Sequence, residues 1–220
     1  MNGSLLEYYG KRAVEYEQVY AKPERQPELA GLTLLLQRLL AGHDVLELAC
    51  GTGYWTAAIA PPAHSVVATD VSPEVLELAT RKSYPPGRVR LELADAYAPE
   101  QIGGRFTAGF AGFWWSHVPR QDLPRFLGPF HRRLGCGARV VLCDNRYAEG
   151  SSTPVSRTDP AGNTYQRRLL RNGAEYEVLK NFPSPGELDR ILALHGATDI
   201  ALTELTYYWC VTYRVGATTP

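Results

Sequence analysis

The sequence predicts an α/β fold, a mostly parallel sheet with helices on both faces. Short apolar runs of strand length alternate along the chain with helical segments or turns. The first such run passes directly into a turn carrying two glycines, Cys50-Gly51-Thr52-Gly53, ahead of a helix. The second ends on an acid, Asp70, at the sheet edge where such folds bind ligands.

Taken in order, residues 1–25 are polar and tyrosine-rich, with Tyr8, Tyr9, Tyr16 and Tyr20 near helical spacing among Lys11, Arg12 and Glu15, which reads as a helix plus linker. Pro23 and Pro27 interrupt that pattern. A helix follows over 28–40, with Leu29, Leu32, Leu35, Leu36, Leu39 and Leu40 on one stripe. Strands are expected at 43–49, 66–70, 89–94, 106–113 and 138–143. Ser72 is placed to cap a helix over 74–82, with Pro73 in its first turn. The segment 121–134 has helical periodicity, made irregular by Pro124 and Pro129. After strand five a polar loop leads to 164–170, Asn172-Gly173 and 174–179, the signature of an antiparallel hairpin inserted within 145–183. A helix over 186–195 and two β-rich runs, 198–205 and 207–215, complete a single domain over 1–220. By alternation, Tyr207 and Trp209 face one side and Tyr208 the other.

Two hundred and twenty residues with 45% hydrophobic content suffice for one sizeable core. Lys+Arg and Asp+Glu balance at 23 each, so no global field favours nucleic acid or an anionic membrane, and neither partner is expected. Cys50, Cys136, Cys143 and Cys210 form no CxxC pair and read as buried, reduced thiols. No basic-then-apolar leader opens the sequence and no apolar stretch approaches the roughly 18 residues of a spanning helix, so a cytoplasmic protein is expected, as monomer or homodimer.

Glycines at a strand-to-helix turn let the backbone approach a ligand closely, and a carboxylate ending the neighbouring strand can take both hydroxyls of a ribose. Asp70 alone also fits a helix cap, and Asp95 a turn opener; together, after Gly51 and Gly53, they favour a bound nucleoside. Thr56 stands where a dinucleotide-binding turn wants its third glycine, which disfavours a nicotinamide dehydrogenase.

Val45-Leu46-Glu47-Leu48-Ala49-Cys50-Gly51-Thr52-Gly53, with Ala68-Thr69-Asp70-Val71-Ser72 and Ala94-Asp95-Ala96 in register, resembles the class I S-adenosylmethionine-dependent methyltransferases over about residues 4–215. The first glycine of the family's commoner loop is Ala49 here. The resemblance implies a Rossmann-like, seven-stranded sheet with an antiparallel C-terminal strand. It also implies that Glu47, Ala49, Gly51 and Gly53 line the methionine part of the cofactor. Asp70, with Val71, then takes the ribose, and Asp95 and Ala96 take the adenine. The segment 8–16 resembles the lid helix of small-molecule members, with Tyr8, Arg12 and Tyr16 on the cofactor.

Past strand four, Phe113 and Trp114 are expected at the cofactor and Trp115 and His117 at the acceptor. His117 has the intrinsic pKa of a general base; the plainer alternative is a backbone hydrogen bond near the turn. Asn145, Arg146, Tyr165, Arg168 and Tyr207 complete the expected acceptor pocket, and Lys180 lies near its mouth. Methylation of N or O on a small, partly aromatic or amine-bearing molecule is the leading reading, with no metal. RNA or protein methylation, or a silent cofactor-binding subunit, are the alternatives.

Overall fold

Strand β1 (Asp44–Leu48) shows why the sheet is covered on both sides: Val45 and Leu46 point to opposite faces, and both are fully buried. In the computed structural model, which describes residues 17, 20–169 and 173–217, the remaining elements follow the expected alternation. They are α1 (Gln26–Leu40), β1, α2 (Tyr54–Ile59), β2 (Ser65–Asp70), α3 (Pro73–Thr80), β3 (Val89–Leu93), β4 (Ala108–Gly112), α4 (Leu123–Leu134) and β5 (Arg139–Asn145). Then come β6 (Arg157–Thr158), β7 (Thr164–Leu169), β8 (Glu175–Leu179), α5 (Pro185–Leu194), β9 (Ala197–Glu204) and β10 (Tyr208–Val215).

Seven strands form one sheet in the order β3-β2-β1-β4-β5-β10-β9. Pairing is parallel from β3 to β5, and β10 runs antiparallel to both β5 and β9. On one face Leu46, Leu142 and Val211 pack with Phe126 and Phe130 of α4 and Leu188 and Leu192 of α5. On the other, Val45, Ala68 and Val141 pack with Leu29, Leu32, Leu36 and Leu40 of α1 and Trp55 and Ile59 of α2. Gly109 permits the close approach of α4, because a Cβ there would run into Phe130 and Leu134.

Ser72 caps α3, its hydroxyl accepting from the Val75 N–H at 3.4 Å, with Pro73 in the first turn. Pro124 falls in the first turn of α4, where its missing N–H costs nothing, and Pro129 is carried inside the helix. The inserted hairpin is real and larger than expected: β6 adds a third strand, making a separate sheet ordered β6-β7-β8. Two expectations need correction. Cys136 is exposed, while Cys50, Cys143 and Cys210 are buried. Tyr207 precedes β10, so strand alternation does not govern it, and it packs in the same cluster as Tyr208. Among the described residues, no helix is long and apolar enough to cross a membrane.

Candidate active site

The turn after β1 is built for close backbone approach. Ala49, Gly51 and Gly53 hold φ of 55°, 56° and 75°, all left-handed. Ala49 adopts this region without glycine's freedom, at a cost of roughly 1 kcal/mol. At Gly53 any Cβ would run into the Tyr84 hydroxyl and Ala79. The turn is tied to β2 by Asp70, whose Oδ2 accepts from Gly51 N–H at 2.9 Å while Oδ1 accepts from Ser72 N–H at 3.0 Å. Each oxygen keeps acceptor capacity beyond its one backbone bond, and burial pushes the Asp70 carboxyl above its ordinary range.

Glu47 lies beneath the same turn, buried on β1, and its Oε2 has no hydrogen-bond partner among the described residues. Burial pushes its pKa up to about 8, with nearby Thr56 pulling down and Asp70 pushing further up. Thr56 does so from outside hydrogen-bonding geometry, because its own hydroxyl is unpartnered. An orphaned buried carboxyl oxygen and two raised carboxyls beside a left-handed backbone turn suit a ligand offering hydroxyl donors and positive charge, as S-adenosylmethionine does. Residues Glu47, Ala49, Gly51, Gly53 and Asp70 would hold it.

Glu47 carries a stability consequence of definite sign. Its folded pKa of about 8 lies above the ordinary 4.5, so the folded state retains a proton that the unfolded chain releases. The cost is absent below pH 4.5, grows through the window up to pH 8, and is constant beyond, with a ceiling on the order of 5 kcal/mol. Glu47→Gln is therefore expected to raise the Tm by several degrees at pH 8.5 and to change it little at pH 5. Equal shifts at both pH values in thermal denaturation would show that Glu47 titrates normally.

Elsewhere along this edge, Asp95 opens a turn, its Oδ1 accepting from Tyr97 N–H at 2.9 Å, and Ala96 is buried beside it. Val71 is half-buried after Asp70. Tyr8, Arg12 and Tyr16 lie outside the described residues. Of the N-terminal segment, Glu17 accepts from Thr52 Oγ1 at 2.9 Å, and Tyr20 stacks on Tyr54 with ring centroids 4.1 Å apart.

Between the ends of β4 and β5 and the β6–β8 sheet lies a small cleft of about 80 Å³, lined by Phe113, His117, Asn145, Arg168 and Lys180, together with Tyr20, Lys22, Arg25 and Phe182. Polar staples hold the small sheet in place. Asn181 donates to Val118 O and Asn163 Oδ1, both at 3.1 Å, and Thr164 N–H donates to Asn181 Oδ1 at 2.9 Å. The buried Lys180 ammonium donates to Ser116 Oγ at 2.6 Å and Asp144 Oδ1 at 3.1 Å. Asp144, fully buried, also accepts the N–H groups of Ser116 and Asn145. Burial, the largest single influence, pushes Asp144 up, but Lys180, His117 and the Ser116 and Asn145 N–H groups together hold the carboxyl below its ordinary range. Asp144 is thus half of an ion pair rather than half of a metal site.

His117 lines the cleft, with Nδ1 at 2.9 Å from Leu179 O. Burial first, and the Lys180 cation second, hold its pKa well below 6.5. A histidine held neutral in this way is a feeble proton acceptor, so the environment argues against the general-base role. Four other expected residues stand apart from the cleft. Trp115 is buried edge-on to Trp209 in the core. Arg146 pairs with Glu204 at 3.3 Å, and the Tyr165 hydroxyl donates to Asp159 at 3.1 Å beneath the Arg157 guanidinium. Tyr207 lies under the Arg25 guanidinium, 4.9 Å from its ring centroid, and opens onto the outer surface. Trp114, expected at the cofactor, is buried between Tyr97 and Phe126.

Sequence reasoning missed Lys22 and Arg25 and gave Lys180 no role. Only the proximity of Lys180 to the hairpin end hinted at it; nothing local marks Arg25 as a residue that folding buries.

A methyltransferase-domain family model matches residues 45–137. The chain is 36% identical over 150 residues to demethylmenaquinone methyltransferase of Clavibacter sepedonicus, covering 64% of this chain and 58% of that relative. Among solved structures, the DhpI–SAH complex superposes with a TM-score of 0.77 at 29% identity, covering 97% of this chain and 96% of that one. The DhpI–SAM–HEP complex gives 0.78 at 28% identity, covering 96% of each chain. The 1,6-didemethyltoxoflavin-N1-methyltransferase of Burkholderia thailandensis shares the fold, with a TM-score of 0.63 at 18% identity over 97% of this chain and 88% of that one. With the glycine turn, the acid ending β2 and the strand order already in place, the chain has the Rossmann-like fold of the class I S-adenosylmethionine-dependent methyltransferases and is similar to them in sequence over residues 45–137.

Proposed function

We propose that this enzyme methylates a small molecule held in the cleft between the ends of β4 and β5 and the β6–β8 sheet. The observation that carries the reading is the cleft itself. It lies at the carboxyl edge shared with the cofactor turn, is walled by an inserted sheet, and is lined by convergent polar and charged side chains. S-adenosylmethionine supplies an electrophilic methyl, so the chain's own task is to align the acceptor, exclude water and hold the right charge state. DhpI and the toxoflavin enzyme, both resembling this chain in fold, support a small acceptor.

His117 acts in this reading as a neutral positioning group. Transfer of labelled methyl from S-adenosylmethionine to a panel of small molecules is expected to find an acceptor. With that acceptor, His117→Asn should lower kcat only a few-fold and leave the pH profile between 6 and 9 unchanged in shape. A loss of about 10²-fold or more, with disappearance of a titration seen in the parent, would restore the general base. Labelling of RNA or protein in the absence of any small acceptor would overturn the proposed substrate size.

A further inference from the structure

We infer that the acceptor is an oxyanion, a carboxylate or a phosphorus oxyacid, and that the methyl goes to one of its charged oxygens. The inference rests on the reading that the cleft holds the acceptor, and it names the acceptor's class.

Four cationic side chains, Lys22, Arg25, Arg168 and Lys180, converge on this one cleft, and among the described residues no carboxylate lines it. Lys180 has Asp144 as its partner. The other three reach only neutral groups: Lys22 donates to Ser151 O, Arg25 to Ser151 Oγ at 2.9 Å and Asn145 Oδ1 at 3.2 Å, and Arg168 to Gln166 Oε1 at 2.7 Å. Among the described residues none of these three has a carboxylate within ion-pair distance. Arg25 is itself buried, and the Arg168 Nε is a buried donor with no partner among the described residues. Their mutual repulsion is visible at Lys22: burial lowers its pKa, and Arg25 and Arg168 lower it further against the pull of Glu24. Concentrated positive charge facing a cavity, with an orphaned guanidinium donor, is stable only in part until an anion fills it. The same field disfavours the amine-bearing acceptor expected from sequence. It also holds a weak acid in its ionised, nucleophilic form.

An ionised oxygen explains why the cleft lacks a strong base. The oxygen's lone pair forms the new O–CH3 bond while the S–CH3 bond of the sulfonium breaks and its electron pair stays on sulfur. The products are a methyl ester and neutral S-adenosylhomocysteine, with one negative and one positive charge cancelled. No proton moves. A carboxylate ester has lost the charge that held it, and a phosphorus oxyacid ester has lost one unit of it, so the same cations that bind the acceptor hold the product less tightly.

The test has two readouts. In calorimetry, benzoate and methylphosphonate are titrated into the protein loaded with S-adenosylhomocysteine, beside benzylamine and benzyl alcohol as controls. One of the two anions is expected to bind at least tenfold more tightly than either control, and which one binds distinguishes a planar from a tetrahedral oxyanion. Arg168→Met, whose Nε has no partner to lose, and Arg25→Met should each weaken anion binding by roughly 10- to 100-fold. S-adenosylhomocysteine affinity, measured in parallel, should be unchanged for Arg168→Met. In the labelled-methyl assay the same anion class should be methylated, with KM rising on Arg168→Met. Methylation of an amine or neutral alcohol, unaffected by Arg168→Met, would overturn the oxyanion and leave the acceptor cleft intact. Methyl transfer to none of the classes, with cofactor still bound, would overturn both.

Discussion

Asp70→Ala is expected to weaken S-adenosylhomocysteine binding by roughly 10²- to 10⁴-fold, since two hydroxyl hydrogen bonds to a charged, part-buried carboxylate are lost together. The residue also holds the Gly51 and Ser72 N–H groups, so some of the loss could come from loosening the turn. A ligand cycle separates the two effects. The 2′-deoxy analogue of S-adenosylhomocysteine should bind the parent protein at least tenfold more weakly than the natural nucleoside and bind Asp70→Ala with nearly the same affinity as it. Calorimetry giving Asp70→Ala the parent's affinity would remove Asp70 from the ribose. If the variant lost affinity but still discriminated between the two ligands as the parent does, the role of Asp70 would be to shape the turn.

Asp144→Ala is expected to cost about 3–5 kcal/mol, because it strands a buried ammonium. In a chain of 220 residues that corresponds to a fall in Tm of roughly 6–20 °C. Burial lowers the Lys180 pKa from its ordinary 10.5, and Asp144 is its chief counterweight. A lysine whose folded pKa is depressed withholds stability as pH falls below 10.5, so the defect should shrink as the pH approaches 10. The double variant Asp144→Leu with Lys180→Met should recover most of the lost Tm, since neither buried charge remains. A single variant melting within about 2 °C of the parent would mean that Lys180 finds water or another partner, and the ion pair would not organise the cleft.

The cofactor half of the site was readable from sequence because it is written locally. Asp70 ends a strand beside a strand that opens on Gly51 and Gly53, and the apolar alternation fixes which edge those residues share. Even the Ala49 substitution was visible, though not that Ala49 would accept a left-handed conformation. The acceptor half is written across the chain. Lys180 meets Asp144 through a sheet inserted between β5 and α5, and Arg25 reaches Asn145 from a segment that precedes the first helix. No spacing rule connects residues 25, 144, 168 and 180. His117 shows the same limit: its type and position announced a base, and its burial beside Lys180 argues against that role. Trp115, Arg146, Tyr165 and Tyr207 were placed near the right edge, but side-chain direction after a strand end depends on turns that alternation does not describe.

The position of β10 between β5 and β9 bears on how the protein is made. Until residues 208–215 leave the ribosome, β5 (Arg139–Asn145) is a sheet edge with the apolar run Val140–Cys143 at its middle and its outer row of backbone groups open. Asp144, which pairs with Lys180, sits in that edge opposite Trp209. A chain stalled or cut before Val215 therefore presents an unpaired strand with an apolar middle to its neighbours.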